Sequence, residues 1–236
     1  MNFKGAKYLG VVEELEEGAE MIAVIGGTGD LGRGLVARWM LAGEEVLIGS
    51  RQLEKAERVA SEVSGQLGKP VRGTTNFEAT REAEVIVLSI PFEGLEKIID
   101  EIKPALIPQK LLLSVIVPLK VERGAVSFER PPAGSAAEEV AKLVPPGVKV
   151  LSAFHTVGAR QLQQVDKPLS CDVVVCGDDA DAKRKVMKLV ERIANVRAID
   201  GGPLRNSRLV EPVVALLVEL TRRHRVPGVS IRFEGL

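Results

Sequence analysis

Met21-Ile-Ala-Val-Ile-Gly-Gly-Thr-Gly-Asp-Leu-Gly32 is the stretch that decides the fold. Residues 21–25 are apolar and of strand length, and the glycines behind them open a turn into a helix expected to begin near Asp30. Gly27, Gly29 and Gly32 have the Gly-x-Gly-x-x-Gly spacing. In that motif the first glycine allows the tight turn, the second lets the backbone approach a pyrophosphate, and the third lets helix and strand pack closely. Unpaired N–H groups and the positive end of the helix then face the anion. Thr28, between two glycines, can add a hydroxyl donor. A glycine-rich turn can be merely a turn, but here the motif has the strand before it and an amphipathic helix behind it. Leu31, Leu35 and Trp39 recur at four-residue spacing as the buried stripe of that helix. The pyrophosphate is therefore expected on Gly27, Thr28, Gly29, Asp30, Leu31 and Gly32.

The next strand, Glu45-Val-Leu-Ile-Gly-Ser-Arg51, carries the choice of nucleotide. An NAD site has Asp or Glu at this strand's end to accept hydrogen bonds from the ribose hydroxyls. Here Ser50 and Arg51 stand instead, with Lys55 one helical turn on. A carboxylate would repel a 2′-phosphate, whereas a guanidinium binds one bidentately. The plainer alternative is a solvated helix start whose charges face water. The coincidence of strand end, serine and arginine favours NADP(H).

Composition narrows the rest. The chain has 236 residues, 45% of them apolar and 3% aromatic, enough for one large or two modest units with an aliphatic core. Its 32 basic and 32 acidic residues balance, so no global field attracts nucleic acid or an anionic membrane. Cys171 and Cys176 sit on one strand-like segment and, with the histidines elsewhere, complete no metal site; none is expected. Two buried free thiols fit a reducing cytoplasm. The longest apolar runs are strand-sized, and residues 1–20 hold no signal-like block. A soluble cytoplasmic protein is expected, with an N-terminal extension, residues 1–20, to which no role is assigned.

Beyond the first βαβ unit, residues 52–63 read as a helix, 71–74 as a short strand, 83–90 as a buried strand, 93–103 as a helix and 111–117 as another strand. Ser135-Ala-Ala-Glu138 has the capping-box pattern and opens a helix to about Val144, followed by a strand at 149–154. This alternation predicts an α/β fold: a Rossmann-type doubly wound parallel sheet over 21–155, with a smaller C-terminal α/β domain over 156–236. The smaller unit is expected to hold a strand at 172–175, a helix at 180–193, a strand at 196–199 and a helix from 208 to about 223, with Pro212 tolerated near its start. Ligands of such sheets collect at the carboxyl ends of the strands. That marks Ser89, Ile90 and Pro91, then Val117, Pro118 and Leu119, and finally His155 and Thr156.

With these pieces in place, the chain resembles the NADPH-dependent coenzyme F420 reductases, also called F420H2:NADP oxidoreductases, from about residue 21 to 233. The likeness rests on Gly26-Gly-Thr-Gly-Asp-Leu-Gly32, Gly49-Ser-Arg51 with Lys55, Val117-Pro-Leu119, Ser135-Ala-Ala-Glu138, His155-Thr156, Cys176-Gly-Asp-Asp179 and Gly202-Pro-Leu-Arg-Asn-Ser-Arg-Leu-Val-Glu211. After His155-Thr156 the chain departs from the family's pattern, reading Val157-Gly-Ala-Arg-Gln-Leu162. The resemblance implies hydride exchange between nicotinamide C4 of NADP(H) and C5 of the deazaflavin F420. It implies that the cleft toward the smaller domain takes the deazaflavin, lined by His155, Thr156, Leu204, Asn206 and Ser207. By this reading His155 donates a hydrogen bond that stabilises the reduced deazaflavin, and no other catalytic side chain is required, because the chemistry is mostly alignment. A homodimer is also implied, with small-molecule cofactors as its other partners. The competing readings are an NADPH-dependent reductase of a flavin, ferric chelate or small carbonyl compound, and a non-enzymatic NADP(H)-sensing module.

Overall fold

The computed structural model describes residues 20–122 and 124–236; residues 1–19 of the N-terminal extension lie outside them. The elements run β1 (Met21–Ile25), α1 (Asp30–Ala42), β2 (Glu45–Ser50), α2 (Leu53–Leu67), β3 (Arg72–Thr75), α3 (Asn76–Glu82), β4 (Val85–Leu88), α4 (Leu95–Ile102) and β5 (Leu111–Ser114). Then follow β6 (Leu119–Glu122), β7 (Ala125–Phe128), α5 (Ala136–Leu143), β8 (Lys149–Ser152), α6 (Ala159–Gln163), β9 (Cys171–Gly177), α7 (Ala180–Glu191), β10 (Val196–Asp200), α8 (Ser207–Val210) and α9 (Val213–His224).

Eight strands form one sheet in the order β10-β9-β8-β5-β4-β1-β2-β3. The chain winds outward from β1 through β2 to β3, then returns to β4 and winds the other way. The switch point therefore lies between β1 and β4, where ligands of open α/β sheets bind. Leu35, Trp39, Val59 and Val186 pack one face, and Ile98, Ile99, Ile102 and Val140 the other. Such strands, covered on both sides, read as unbroken apolar runs, which is why they were legible.

The sheet is mixed rather than wholly parallel. β9 runs antiparallel to β8, meeting it at Leu151 opposite Gly177 and Ser152 opposite Cys176, while β10 is parallel to β9. The cause is the path after β8: α6 packs on α1, and the Gln163 side chain donates to Asp30 O at 2.7 Å, so the chain stays at the carboxyl edge and enters β9 from there. The strands expected in the C-terminal unit thus extend the edge of the same sheet. Two further differences matter for the site. The antiparallel hairpin β6–β7 was not foreseen, and the expected helix from 208 breaks at Pro212, whose missing N–H interrupts the ladder between α8 and α9.

Arg38, also unforeseen, locks α6 onto α1. Its buried guanidinium donates to the carbonyls of Leu162 (3.0 Å), Gln161 (3.1 Å), Gln164 (2.6 Å) and Lys167 (2.9 Å), closing the end of the short helix. Arg38→Met keeps the aliphatic stem but takes the guanidinium from the carbonyls of Gln161, Leu162 and Lys167, Gln164 O keeping its bond from Lys167 N, so it should cost about 3 kcal/mol or more in urea unfolding. A loss below about 1 kcal/mol would show that water replaces the guanidinium.

Candidate functional site

At the switch point the chain turns from β1 into α1 between the tips of β2 and β4. Gly26 takes φ 78°, and its N–H donates to Gly49 O at 3.1 Å. A Cβ on Gly26 would stand 2.3 Å from Ser89 O, so the tight turn falls on Gly26, one residue before the glycine expected to make it. Gly32 lets helix and turn meet, since a Cβ there would lie 2.7 Å from Gly27 Cα. Gly29 differs: it is the exposed N-cap of α1, and a Cβ there would find only Gly26 O, at an ordinary 3.5 Å. A glycine cap offers no side chain to the first-turn N–H groups of Asp30, Leu31 and Gly32, which stay open to an anion. Thr28 is half-buried, and Arg33 Nε donates to its carbonyl at 3.3 Å while Arg33 also pairs with Glu62 at 2.9 Å. Arg33 is a support for the turn that the motif did not announce.

Ser50 ends β2, buried, with its Oγ accepting from Gln52 N at 3.2 Å. Arg51 and Lys55 project from the same corner, both exposed, and neither is in an ion pair among the described residues. Two unpaired cations beside a strand end are what a 2′-phosphate needs. Across the turn, Ser89 N donates to Ile25 O at 2.9 Å, the Ile90 side chain covers Gly26, and exposed Pro91 leads into the turn before α4.

A cleft of about 670 Å³ starts at the cradle residues Asp30 and Leu31. Its floor is Val115, Val117, Phe154, His155 and Val157; α9 supplies Val214, Leu217, Val218 and Thr221, and residues 226–229 close one side. Phe154 has φ 66°, uncommon for an aromatic residue, and its ring meets Trp39 edge-on at 5.6 Å. His155 is 3% exposed; its Nε2 donates to Ile116 O at 3.3 Å, and Nδ1 has no partner. Burial pushes the ring's pKa down to about 4, against the smaller opposing effect of the Ile116 bond. The ring is thus neutral at pH 7, with its donor committed, so the expected donation to a reduced deazaflavin is corrected: what it offers is an acceptor.

The structure does not bring the remaining expected residues into this cleft. Pro118 is buried with its carbonyl accepting from Glu129 N at 2.9 Å, and Leu119 begins the hairpin. Thr156 is consumed structurally: Oγ1 donates to Asp172 O at 2.6 Å, and its carbonyl accepts from Ile231 N at 3.1 Å. Leu204 borders a separate opening beside Lys149 and Asp179, the Asn206 amide donates to Gly201 O at 2.7 Å, and Ser207 Oγ lies 2.6 Å from Ser152 Oγ, buried. The reason is an anchor behind them. Glu211 accepts from Ala136 N at 2.8 Å and Ala137 N at 3.1 Å, and Arg208 pairs with Glu138, which draws α8 onto the first turn of α5. Ser135 caps α5 as expected, its Oγ accepting from Glu138 N, while the Glu138 carboxylate accepts from the Ser135 hydroxyl and from Arg208.

Residues 21–118 match the family model described as "NADP oxidoreductase coenzyme F420-dependent". The F420-dependent NADP reductase of Methanothermobacter thermautotrophicus is 40% identical over 225 residues, covering 91% of this chain and 95% of that relative. This chain belongs to that family. The Methanocaldococcus jannaschii F420-dependent NADP reductase is 38% identical over 222 residues, covering 91% of the chain and 98% of the relative. A solved structure from Arthrobacter sp. fb24 has the same fold, with a TM-score of 0.78 at 22% identity over 91% of this chain and 99% of that one.

Within this family member, Glu211 is the residue whose role the sequence hid, because nothing in a helical run of Leu, Val and Glu announces a buried carboxylate. Burial raises its pKa to about 7 despite two backbone N–H groups, with Glu138 adding to the rise. A raised carboxyl contributes stability that is present below about pH 4.5 and lost as pH climbs through about 7. His155 has the opposite sign: with its pKa depressed, stability is lost as pH falls from about 6.5 toward 4. Above pH 6.5 only the Glu211 effect remains of the two. The melting temperature should therefore fall between about pH 6.5 and 8, and Glu211→Gln should flatten that fall. An identical slope in the variant would show that Glu211 is already ionised in the folded state.

Proposed function

We propose that this protein transfers a hydride between nicotinamide C4 of NADP(H) and C5 of the deazaflavin coenzyme F420. The observation that carries the proposal is one continuous cleft that begins at the first turn of α1 and ends on an aliphatic wall. The nicotinamide and deazaflavin rings supply donor and acceptor when both are bound; the chain supplies placement. Asp30, Leu31 and Gly32 offer N–H groups to the pyrophosphate, with Thr28 as a further donor and Gly29 leaving room for it, while Gly27 lets the turn close on Val24 and Ile48. Arg51, Lys55 and Ser50 take the 2′-phosphate. Ser89, Ile90, Pro91 and Val117 flank the nicotinamide side, and His155 Nδ1, buried and unpartnered, accepts from a ring N–H. Valines 115, 117, 157, 214 and 218 with Leu217 exclude water, so the hydride passes in an apolar setting.

The division at residue 155 has a functional sense in this scheme: residues 156–236 contribute α6, α9 and the segment that walls the cleft. The chain is also read as a homodimer. Leu209 and Leu216 are 68% and 58% exposed on α8 and α9, and Val121 is 62% exposed on the adjoining hairpin, a grouping that a second copy would cover. Among the described residues no helix is long and apolar enough to cross a membrane, and the buried free thiols of Cys171 and Cys176 accord with a reducing cytoplasm.

Mixing protein, NADPH and F420 tests the proposal. The deazaflavin's visible absorption should bleach with NADPH and much more slowly with NADH. No bleaching by protein that binds NADPH would assign the chain to another acceptor, such as a flavin or ferric chelate.

A further inference from the structure

Three arginines stand on the rim of the cleft, and hydride transfer accounts for none of them. Arg160 is on α6, Arg222 is in the last turn of α9, and Arg225 follows that helix; all three are exposed and all line the cleft that His155 lines. Arg222 donates to Gly124 O at 2.6 Å and lies 3.4 Å from Glu219. Arg160 and Arg225 have no ion-pair partner among the described residues. Cations at a helix C-terminus complement its dipole. That accounts for Arg222 at the end of the 12-residue α9, but not for Arg160, whose helix of 5 residues is little more than one turn. Arg225 also takes φ 52°, the left-handed position where glycine or asparagine costs less. The rest of the lining is uncharged, apart from Asp30 at the cradle.

We propose that Arg160, Arg222 and Arg225 form an anion-binding rim that holds a phosphate- or carboxylate-bearing side chain of the second cofactor, while the aliphatic floor takes its ring. The proposal rests on the reading of this cleft as the deazaflavin site. Its chemistry follows from the placement: α6 and the end of α9 bring three guanidinium groups to one cleft, and a guanidinium can hold a phosphate or carboxylate bidentately. Arg160 falls within Val157-Gly-Ala-Arg-Gln-Leu162, two positions after Gly158 and close behind His155, both of which line the same cleft.

Equilibrium binding to the NADP+-loaded protein tests it, using F420 with its anionic side chain and the same deazaflavin ring with an uncharged polyol chain. The charged form should bind about tenfold tighter or more, and raising salt from about 0.05 to about 0.5 M should shrink that advantage. In the Arg160→Gln/Arg225→Gln double variant, which spares the Arg222 bond to Gly124, the two dissociation constants should converge. An advantage that survives the double substitution overturns the rim. So does an equal weakening of NADPH binding, which would assign the arginines to the nucleotide's own phosphates. Equal binding of both ring compounds by the parent, with F420 turnover intact, removes the rim and leaves the reaction. Tighter binding of the charged form without hydride transfer removes the reaction and leaves the rim, and no binding of either removes both.

Discussion

Gly29→Val should abolish NADPH binding, weakening it by at least about two orders of magnitude, while leaving the fold intact. Gly29 has φ −85° and ψ 170°, a conformation open to valine, and a Cβ there meets only Gly26 O at 3.5 Å. Valine is a poorer helix cap than glycine, at a cost of about 1 kcal/mol. The added methyl groups occupy the space over the first turn of α1, where the pyrophosphate belongs. Gly26→Ala is the contrasting control: its Cβ would collide with Ser89 O at 2.3 Å in a left-handed residue, so that variant should lose stability first. Isothermal titration and a melting curve separate the two outcomes. Normal NADPH binding by Gly29→Val would place the pyrophosphate elsewhere.

Arg51→Ala should weaken NADPH binding by about one to two orders of magnitude, since a charge-assisted contact to phosphate contributes about 1.5–3 kcal/mol. NADH, which lacks the 2′-phosphate, should bind as before. The exposed setting of Arg51 makes the effect salt-dependent, larger near 0.01 M than at physiological ionic strength. Equal affinities of the unmodified protein for NADPH and NADH would contradict the reading of Ser50, Arg51 and Lys55.

The half of the site proposed for the nucleotide rests on determinants that are local in sequence. Strand β1, the glycine turn and α1 lie within one continuous run, and the spacing that makes a cradle is a property of neighbours in sequence. Arg51 and Lys55 are readable for the same reason. The second half was less so, because it depends on contacts across the chain. His155 and Val117 do line the cleft, yet the hydrogen-bonding sense of His155 is set by Ile116 O, 39 residues away. Thr156 and the residues from Leu204 to Ser207 resemble site residues but are spent on Asp172, Gly201 and Ser152. The walls supplied by α9 and residues 226–229 carry no motif, and Pro212, read as tolerated within a helix, instead sets the break that lets α9 face the cleft. The hairpin β6–β7 was readable in principle: Leu119-Lys-Val-Glu122 and Ala125-Val-Ser-Phe128 flank a glycine with φ 87°, which is a hairpin signature.

Direct transfer between two rings held in one apolar cleft is the core of this account, and isotope tracing tests it most directly. NADPH carrying deuterium at C4 on one prochiral face should pass the label to C5 of F420, for one of the two labelled forms only. Mass spectrometry of the reduced deazaflavin made in ordinary water should then show one deuterium per molecule. Reduced F420 without label from both forms of NADPH would mean that the hydrogen came from solvent, and would contradict hydride transfer within the cleft.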